Sequence, residues 1–121
     1  MDDKWQAIHN LWSSFGLTAS DENSVPDDAQ YPYITYSSAI SDFEVPVTLT
    51  ASIWYRTTSW AEASQKAIYI SRMVSPYKMI PVDGGHLYVV KGNPFAQRMR
   101  DEDDLIKRIY IVLQAEFFTN Y

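Results

Sequence analysis

The stretch VPVTLTASIWYR, residues 45–56, carries the clearest structural pattern in this chain. Apolar side chains alternate along it with mostly polar ones, and one side of the run consists of Val47, Leu49, Ala51, Ile53 and Tyr55. Because successive side chains of a strand point to opposite faces, this alternation predicts a β-strand with one face on a core. The β-branched residues in the run favour the same conclusion. We therefore expect a sheet that is covered on one face and not on the other.

The uncovered side of this strand carries Trp54 and Arg56, and Trp60 follows shortly after. Two interpretations are open. The aromatic and cationic side chains could form a second small core beneath the first helix, or they could form an interface with a partner, where tryptophan and arginine are enriched.

Helical periodicity predicts two helices. The first covers residues 3–15 and ends at Gly16, with a buried stripe of Trp5, Ile8, Trp12 and Phe15. Ser59 and Glu62 have the spacing of a capping box, which predicts the start of a second helix. That helix continues to about Val74, before Ser75-Pro76, and its buried stripe is Trp60, Ala63, Ala67, Ile70 and Val74.

Four further strands are predicted. One runs over residues 33–38, directly after Pro32, which cannot donate a hydrogen bond to a sheet. Residues 79–82 and 86–91 flank the turn Asp83-Gly84-Gly85, and residues 105–118 alternate again, with Leu105 placed on the apolar face. Residues 17–30 are predicted as a polar loop, and residues 92–104 as an irregular excursion.

The predicted order is α-β-β-α-β-β-β. It indicates a single α+β domain over residues 1–121, with an antiparallel or mixed sheet of about five strands and both helices packed on one face. If the strands on either side of the second helix share this sheet, a right-handed crossover would make them parallel.

The composition excludes several classes of protein. The 121 residues include no cysteine, so neither disulfides nor thiolate metal sites can form. No apolar run has the length of a membrane span, and the first residues are acidic and amphipathic, unlike a signal peptide. We therefore expect a protein that is made in the cytoplasm. The net charge of −5 and the lack of a clustered basic patch do not favour nucleic-acid recognition.

The charge is unevenly distributed along the chain. Residues 1–44 hold eight acids and one base, a net −7, whereas residues 45–121 hold seven acids and nine bases, a net +2. The acidic part could form one face that stacks on a complementary partner, or it could be a solvated loop. In the first interpretation, the loops at residues 20–30 and 41–44 contact that partner, through candidate residues Asp27, Asp28, Phe43 and Glu44.

Residues that could carry chemistry are few. His86 follows Asp83 by three residues. The two side chains could form part of a metal site, or a general base with the residue that orients it, in a small metal-dependent hydrolase. The other interpretation is that Asp83 suits a tight turn and His86 is a polar strand residue. The acidic run 101–104 lacks the ligand pattern of a calcium loop. The sequence therefore predicts no enzyme, no cofactor and no metal.

The excursion at residues 92–104 combines apolar and cationic side chains in polar surroundings. We interpret it as a contact loop, because exposed apolar groups beside arginines are typical of interfaces. Its candidate contact residues are Phe95, Arg98, Met99 and Arg100.

Several stretches in this order resemble the tail terminator (tail completion) family of phages and prophages of Gram-positive bacteria. They are VPDDA at 25–29, YPYITY at 31–36, LTASIWYR at 49–56, SWAE at 59–62, DGG at 83–85, KGNPFAQRM at 91–99 and RIY at 108–110. The family offers no catalytic residues to transfer.

The resemblance implies an α+β subunit of a homo-oligomeric ring, typically a hexamer. Such a ring caps the head-proximal end of a tail tube, stops tube growth and docks the head connector. The implied partners are the tube protein, the head–tail connector or neck protein, and the sheath protein if the tail is contractile. The implied location is the virion tail, after assembly in the cytoplasm of the bacterial host. Two other interpretations are a connector or neck subunit, and a module that binds peptides along residues 33–36.

Overall fold

The computed structural model describes residues 3–40, 42–43 and 46–119. Its elements follow in chain order. They are α1 (Lys4–Ser13), β1 (Thr18–Asp21), β2 (Tyr33–Tyr36), β3 (Val47–Arg56), α2 (Ala61–Val74), β4 (Lys78–Val82), β5 (Gly85–Met99) and β6 (Ile106–Thr119). The α+β class is confirmed, and Glu44 lies outside the described residues.

The described strands form a six-stranded mixed sheet in the order β1-β2-β3-β6-β5-β4. Only β1 and β2 pair in parallel, and the other pairs are antiparallel. The prediction of about five strands missed β1, which lies in the expected polar loop. Thr18–Asp21 is a four-residue run without apolar alternation, and its strand conformation depends on pairing with Tyr33–Tyr36. A local pattern therefore could not indicate it.

Both helices pack on the same face of the sheet and share a single core with it. α1 contacts β1 and β4, whereas α2 lies across β3, β5 and β6. The apolar face of β3 is buried as predicted, and so are Ala63, Ala67, Ile70 and Val74 of α2. Trp60 is partly buried against this core. We call the opposite side of the sheet, which neither helix covers, the open face.

α1 begins and ends as its capping residues dictate. The Asp3 carboxylate accepts a hydrogen bond of 2.7 Å from the Gln6 amide, and Gly16 adopts a positive φ of 87° after the helix. The prediction for Trp5 was wrong, since this side chain is 44% exposed. Ala7 and Leu11 occupy the core side instead, and Trp5 contacts the ring of Phe43 at 5.1 Å.

The capping box predicted for α2 does not form. The Ser59 hydroxyl accepts a hydrogen bond from the Ala61 amide at 3.0 Å and not from the Glu62 amide. Trp60, which precedes the helix, already has αR dihedral angles (φ −77°, ψ −5°). In a capping box the Glu62 carboxylate would accept from the Ser59 amide, but that amide donates to the Thr57 hydroxyl at 3.5 Å. The helix still ends at Val74, as predicted.

The predicted excursion at residues 92–104 is largely a strand. β5 continues to Met99 and pairs with β6 on both sides of an irregularity between Lys91 and Ala96. Gly92 lies within this bulge, and a Cβ atom there would approach the Val112 side chain to 2.7 Å and its carbonyl oxygen to 2.8 Å. The glycine and proline that suggested an irregular loop instead belong to a β-bulge in a long strand.

Two smaller predictions about the sheet were also wrong. Leu105 is exposed, because β6 begins one residue later and Ile106 is the buried side chain. The strand that follows α2 is not parallel to β3. Lys78 is aligned with Val47, the first residue of β3, through the paired residues of β5 and β6. From that position, β4 runs in the direction opposite to β3. α2 therefore connects β3 to a strand that is antiparallel to it, and the expected parallel crossover does not form.

Candidate interaction surfaces

Trp54 lies on the open face and is held by neighbouring strands. Its indole Nε1 donates to the Thr35 hydroxyl at 2.9 Å, and its ring stacks on Tyr33 with a centroid distance of 6.3 Å. The Arg108 guanidinium carbon lies 4.8 Å from the ring centroid, and Arg108 Nε donates to the buried Ser52 hydroxyl at 2.9 Å. The interpretation as a core beneath the first helix is wrong, because these contacts are all made by strands.

Arg56 is engaged within the chain. Its Nη1 lies 2.7 Å from Oδ2 of Asp103, and both side chains are about half exposed. The Leu105 amide, first, and the Arg56 guanidinium, second, hold the pKa of Asp103 below its usual value. The pair ties the end of β3 to the turn before β6. Arg56 therefore contributes to this tie and has less freedom to reach a partner.

Arg98 points toward α2. Its Nη2 donates to the Ser64 hydroxyl at 2.9 Å, and its guanidinium carbon lies 5.0 Å from the centroid of the Trp60 ring. The Lys107 amine lies 5.6 Å from the same ring. These groups border a shallow cleft of about 300 Å³ in which cationic and acidic side chains alternate. Arg98 stabilises the packing of α2 on β5.

The other candidates from the predicted contact loop differ in exposure. Phe95 is half-buried and packs against the core, and Met99 is half-buried beside its β6 partner Arg108. Arg100 follows the end of β5 and is exposed at the cleft. Of these side chains, Arg100 is the one that remains accessible to a partner.

Phe43 also has partners in its own chain. Its ring makes edge contacts with Trp5 at 5.1 Å and Phe117 at 5.3 Å, and the Lys4 amine lies 5.5 Å from its centroid. It is partly buried against the core. The structure therefore gives Phe43 a role in covering the core beside α1.

Asp27 and Asp28 lie in the connection from β1 to β2 and are exposed. The Ala29 amide donates to the Pro26 carbonyl at 3.1 Å, which closes a turn around both residues. Neither carboxylate forms an ion pair with any residue that the structure describes. At the start of this connection, hydrogen bonds from Ser38 and the Asn23 amide lower the pKa of Asp21. Within this connection, Asp27 and Asp28 are therefore exposed to solvent and have no ion-pair partner in the described part of the chain.

The two residues considered for hydrolysis, Asp83 and His86, lie at the turn between β4 and β5. Asp83 is exposed in the turn between β4 and β5, and the His86 ring lies 5.4 Å from the Phe118 ring. Across residues 3–40, 42–43 and 46–119, no three His, Cys, Asp or Glu side chains are grouped to hold a metal ion. His9 is a structural residue, since its Nδ1 lies 2.9 Å from the Tyr36 hydroxyl.

The sequence interpretation missed two exposed apolar surfaces. One is an aromatic cluster on the open face, where Tyr77 stacks on Tyr88 at 5.2 Å and Tyr88 contacts Phe118 at 6.2 Å. The other is the outward side of α2, where Ile68, Tyr69 and Met73 are exposed. Their positions off the buried helical stripe were visible in the sequence and could have indicated the second surface.

Among the described helices, none is long and apolar enough to cross a membrane. No protein-family model and no curated protein sequence matches this chain. Its fold is similar to that of a chain in a solved structure described as "Virion of native gene transfer agent (GTA) particle". The TM-score is 0.69 and the identity 17%, over 95% of this chain and 94% of that chain. At this identity, the likeness establishes a shared fold.

Proposed function

We propose that this chain is a structural subunit of a phage-like particle. The observation that carries this proposal is the likeness to a virion chain, which covers both chains almost end to end. A likeness of this extent relates the whole described domain, and not a fragment of it, to a virion subunit. The exposed aromatic and charged side chains also suit a protein that acts through its surfaces.

Within such a particle, we propose that it acts as the tail terminator. Copies of the chain form a ring, typically of six, at the head-proximal end of the tail tube. The ring ends tube polymerisation and provides the docking surface for the head connector or neck protein, and it meets the sheath in a contractile tail. The support for this finer role is the resemblance of the stretches between residues 25 and 110 to that family.

The open face and the Arg100 end of β5 are the contact surfaces we propose for this role. Trp54 offers the remaining exposed part of a ring that its neighbours already hold in place. A preordered aromatic side chain loses little conformational entropy on binding, which favours its use in an interface. Arg100 adds an accessible cation beside the acidic residues of the cleft.

The experiment is to add the purified protein to polymerising tube protein of the same particle and to measure tube lengths by electron microscopy. We expect shorter tubes with one closed end as the protein is added. Trp54→Ala should weaken this effect, whereas Thr58→Ala, an exposed change beyond the end of β3, should not. Tube lengths that do not respond to the protein would contradict the terminator role.

A connector or neck subunit is the second candidate, because the description of the similar structure names the particle and not the position of the subunit. Purification of tail-free heads distinguishes the two roles. A terminator should be absent from such heads and present on isolated tails. Its recovery with the heads alone would favour the connector.

A further inference from the structure

The outward side of α2 is an apolar helix face without a partner in the described chain. Ile68 is 52% exposed, and Tyr69 and Met73 are exposed beside it. A soluble monomer rarely groups so many large apolar side chains on one short segment. We call Ile68, Tyr69, Arg72 and Met73 the α2 outer face.

This face has a basic border. Residues 63–82 contain three bases, Lys66, Arg72 and Lys78, and no acid, whereas Glu62 at the start of α2 lies beside Lys66 and Tyr69. The Lys66 amine lies 4.7 Å from the centroid of the Tyr69 ring. The side chains of Arg72 and Lys78 form no hydrogen bond or ion pair with any described residue. The face therefore suits a partner that brings both apolar contact and negative charge.

The same chain carries a segment with that chemistry. Residues 21–31, which we call the acidic segment, contain four acids, and no Lys or Arg occurs between residues 5 and 55. Asp27 and Asp28 are exposed and unpaired among the described residues. At the end of the segment, Tyr31 is exposed and contacts Tyr33 at 5.1 Å. An apolar ring thus accompanies the carboxylates.

These two surfaces do not meet within one copy. The acidic segment connects β1 to β2 on one side of the sheet, whereas α2 lies across β3, β5 and β6. The ion pair between Arg56 and Asp103 involves neither of these surfaces. Two different and complementary surfaces on one molecule favour a contact that repeats from copy to copy.

We propose that the α2 outer face binds the acidic segment of a second copy of this chain. The contact is heterologous, so successive copies add head to tail and close into a ring if the rotation permits. This inference rests on the proposed function, which requires a ring, and it identifies the lateral contact. It gives Asp27 and Asp28 a lateral contact with another copy, in place of the separate partner considered for the acidic part of the chain.

The absence of native cysteine allows a direct test by cross-linking. Ser24→Cys labels the acidic segment and Gln65→Cys labels the exposed side of α2 next to its outer face. The two variants are mixed, treated with a short bismaleimide over a range of concentrations, and compared with a mixture of Asp83→Cys and Gln65→Cys. We expect at least about fivefold more mixed dimer from the first pair than from this control.

Charge reversal tests the origin of the contact. Asp27→Lys with Asp28→Lys, made in the Ser24→Cys protein, should reduce cross-linking about tenfold, and so should Arg72→Glu with Lys78→Glu in the other protein. Combining both reversals should restore the mixed dimer. Circular dichroism of each variant verifies that the fold is retained.

Several results would overturn the proposal. They are equal cross-linking in the control mixture, a predominance of Gln65→Cys homodimers, and failure of the double reversal to restore the mixed dimer. Cross-linking of Gln65→Cys to tube protein in place of a second copy would also overturn it. The tube-length experiment tests the terminator role and not the contact between copies. Capped tubes without the mixed dimer contradict the docking inference alone, and mixed dimers without capping contradict the terminator role.

Discussion

At the scale of single residues, a close backbone contact can require glycine at a particular position. Gly85 opens β5 directly opposite the end of β6, and a Cβ atom there would lie 1.8 Å from the Phe118 carbonyl oxygen. Backbone atoms within a sheet cannot move aside as a flexible side chain can. The second glycine of the turn is therefore required by its neighbour and not by its own dihedral angles, unlike Gly84, whose φ is 82°.

Gly85→Ala tests this requirement. We expect the free energy of unfolding to fall by about 2–3 kcal/mol, because β5 must shift away from β6 to admit the methyl group. Urea denaturation followed by circular dichroism measures the change. Asp83→Ala in the same turn is the control and should stay within about 0.5 kcal/mol of the original protein. An equally small effect of Gly85→Ala would contradict the close approach of the two strands at this position.

Asp103 provides a prediction about pH. Its lowered pKa means that the folded state favours the carboxylate, so its contribution to stability is complete above the usual Asp value of 3.8 and is lost as the pH falls through the lower folded value. We expect an NMR titration of Asp103 to give a midpoint below 3.8. In Arg56→Ala the midpoint should rise only partly, because the Leu105 amide is the larger cause. A complete return to 3.8 in that variant would contradict this order of causes.

At the scale of elements, α2 begins near the position that the capping-box spacing predicts, but the hydrogen bonds of a capping box do not form. Ser59 and Glu62 have capping-box spacing, yet the Ser59 hydroxyl bonds to the Ala61 amide and not to the Glu62 amide. Trp60 is held in place by the core and by Arg98. The Ser59 amide donates to the Thr57 hydroxyl, so it makes no reciprocal bond with Glu62.

Two alanine substitutions at the start of α2 distinguish these geometries. Ser59→Ala should cost about 0.5–1 kcal/mol of stability, because the Ala61 amide loses its partner. Glu62→Ala should change the free energy of unfolding by less, about 0.5 kcal/mol or under, because no reciprocal bond exists to lose. Thermal unfolding of the two variants side by side provides the measurement. Equal losses would indicate that the capping box forms in solution.

At the scale of the whole molecule, one core joins all the described elements. Side chains from both helices and from the six strands of the sheet belong to a single buried cluster. β6 lies at its centre, between β3 and β5, and contributes Ile109, Ile111 and Leu113. Because the described elements share this core, the described chain should unfold as one cooperative unit.

Leu113→Ala tests this cooperativity. Truncating a fully buried side chain in the central strand should lower stability by about 2–5 kcal/mol. Far-ultraviolet circular dichroism and tryptophan fluorescence should report the same shifted midpoint, because the helices cannot persist without the sheet. Gln114→Ala, an exposed neighbour on the same strand, is the matched control and should have little effect. Separate midpoints for the two probes would show that the helices and the sheet unfold independently.

The sequence by itself determined the elements whose patterns are local. β3, both helices, the β4–β5 turn and most of β6 follow from alternation, helical spacing and glycines over a few neighbouring residues. The uneven charge distribution was equally visible, as was the absence of cysteine. The sequence also showed which candidate contact residues are aromatic or charged, but not which of them already contact residues of the same chain.

The tertiary structure alone decided the features that depend on distant partners. β1 exists because β2 lies beside it, and β5 continues through Gly92 because β6 accepts the bulge. Phe43 and Arg98 look like contact residues in sequence but are engaged by Phe117 and Ser64 of the same chain. The physical reason is the same in each case, since pairing and desolvation arise between residues far apart in sequence. The exposed side of α2 and the carboxylates of Asp27 and Asp28 are what remains once those internal contacts have formed.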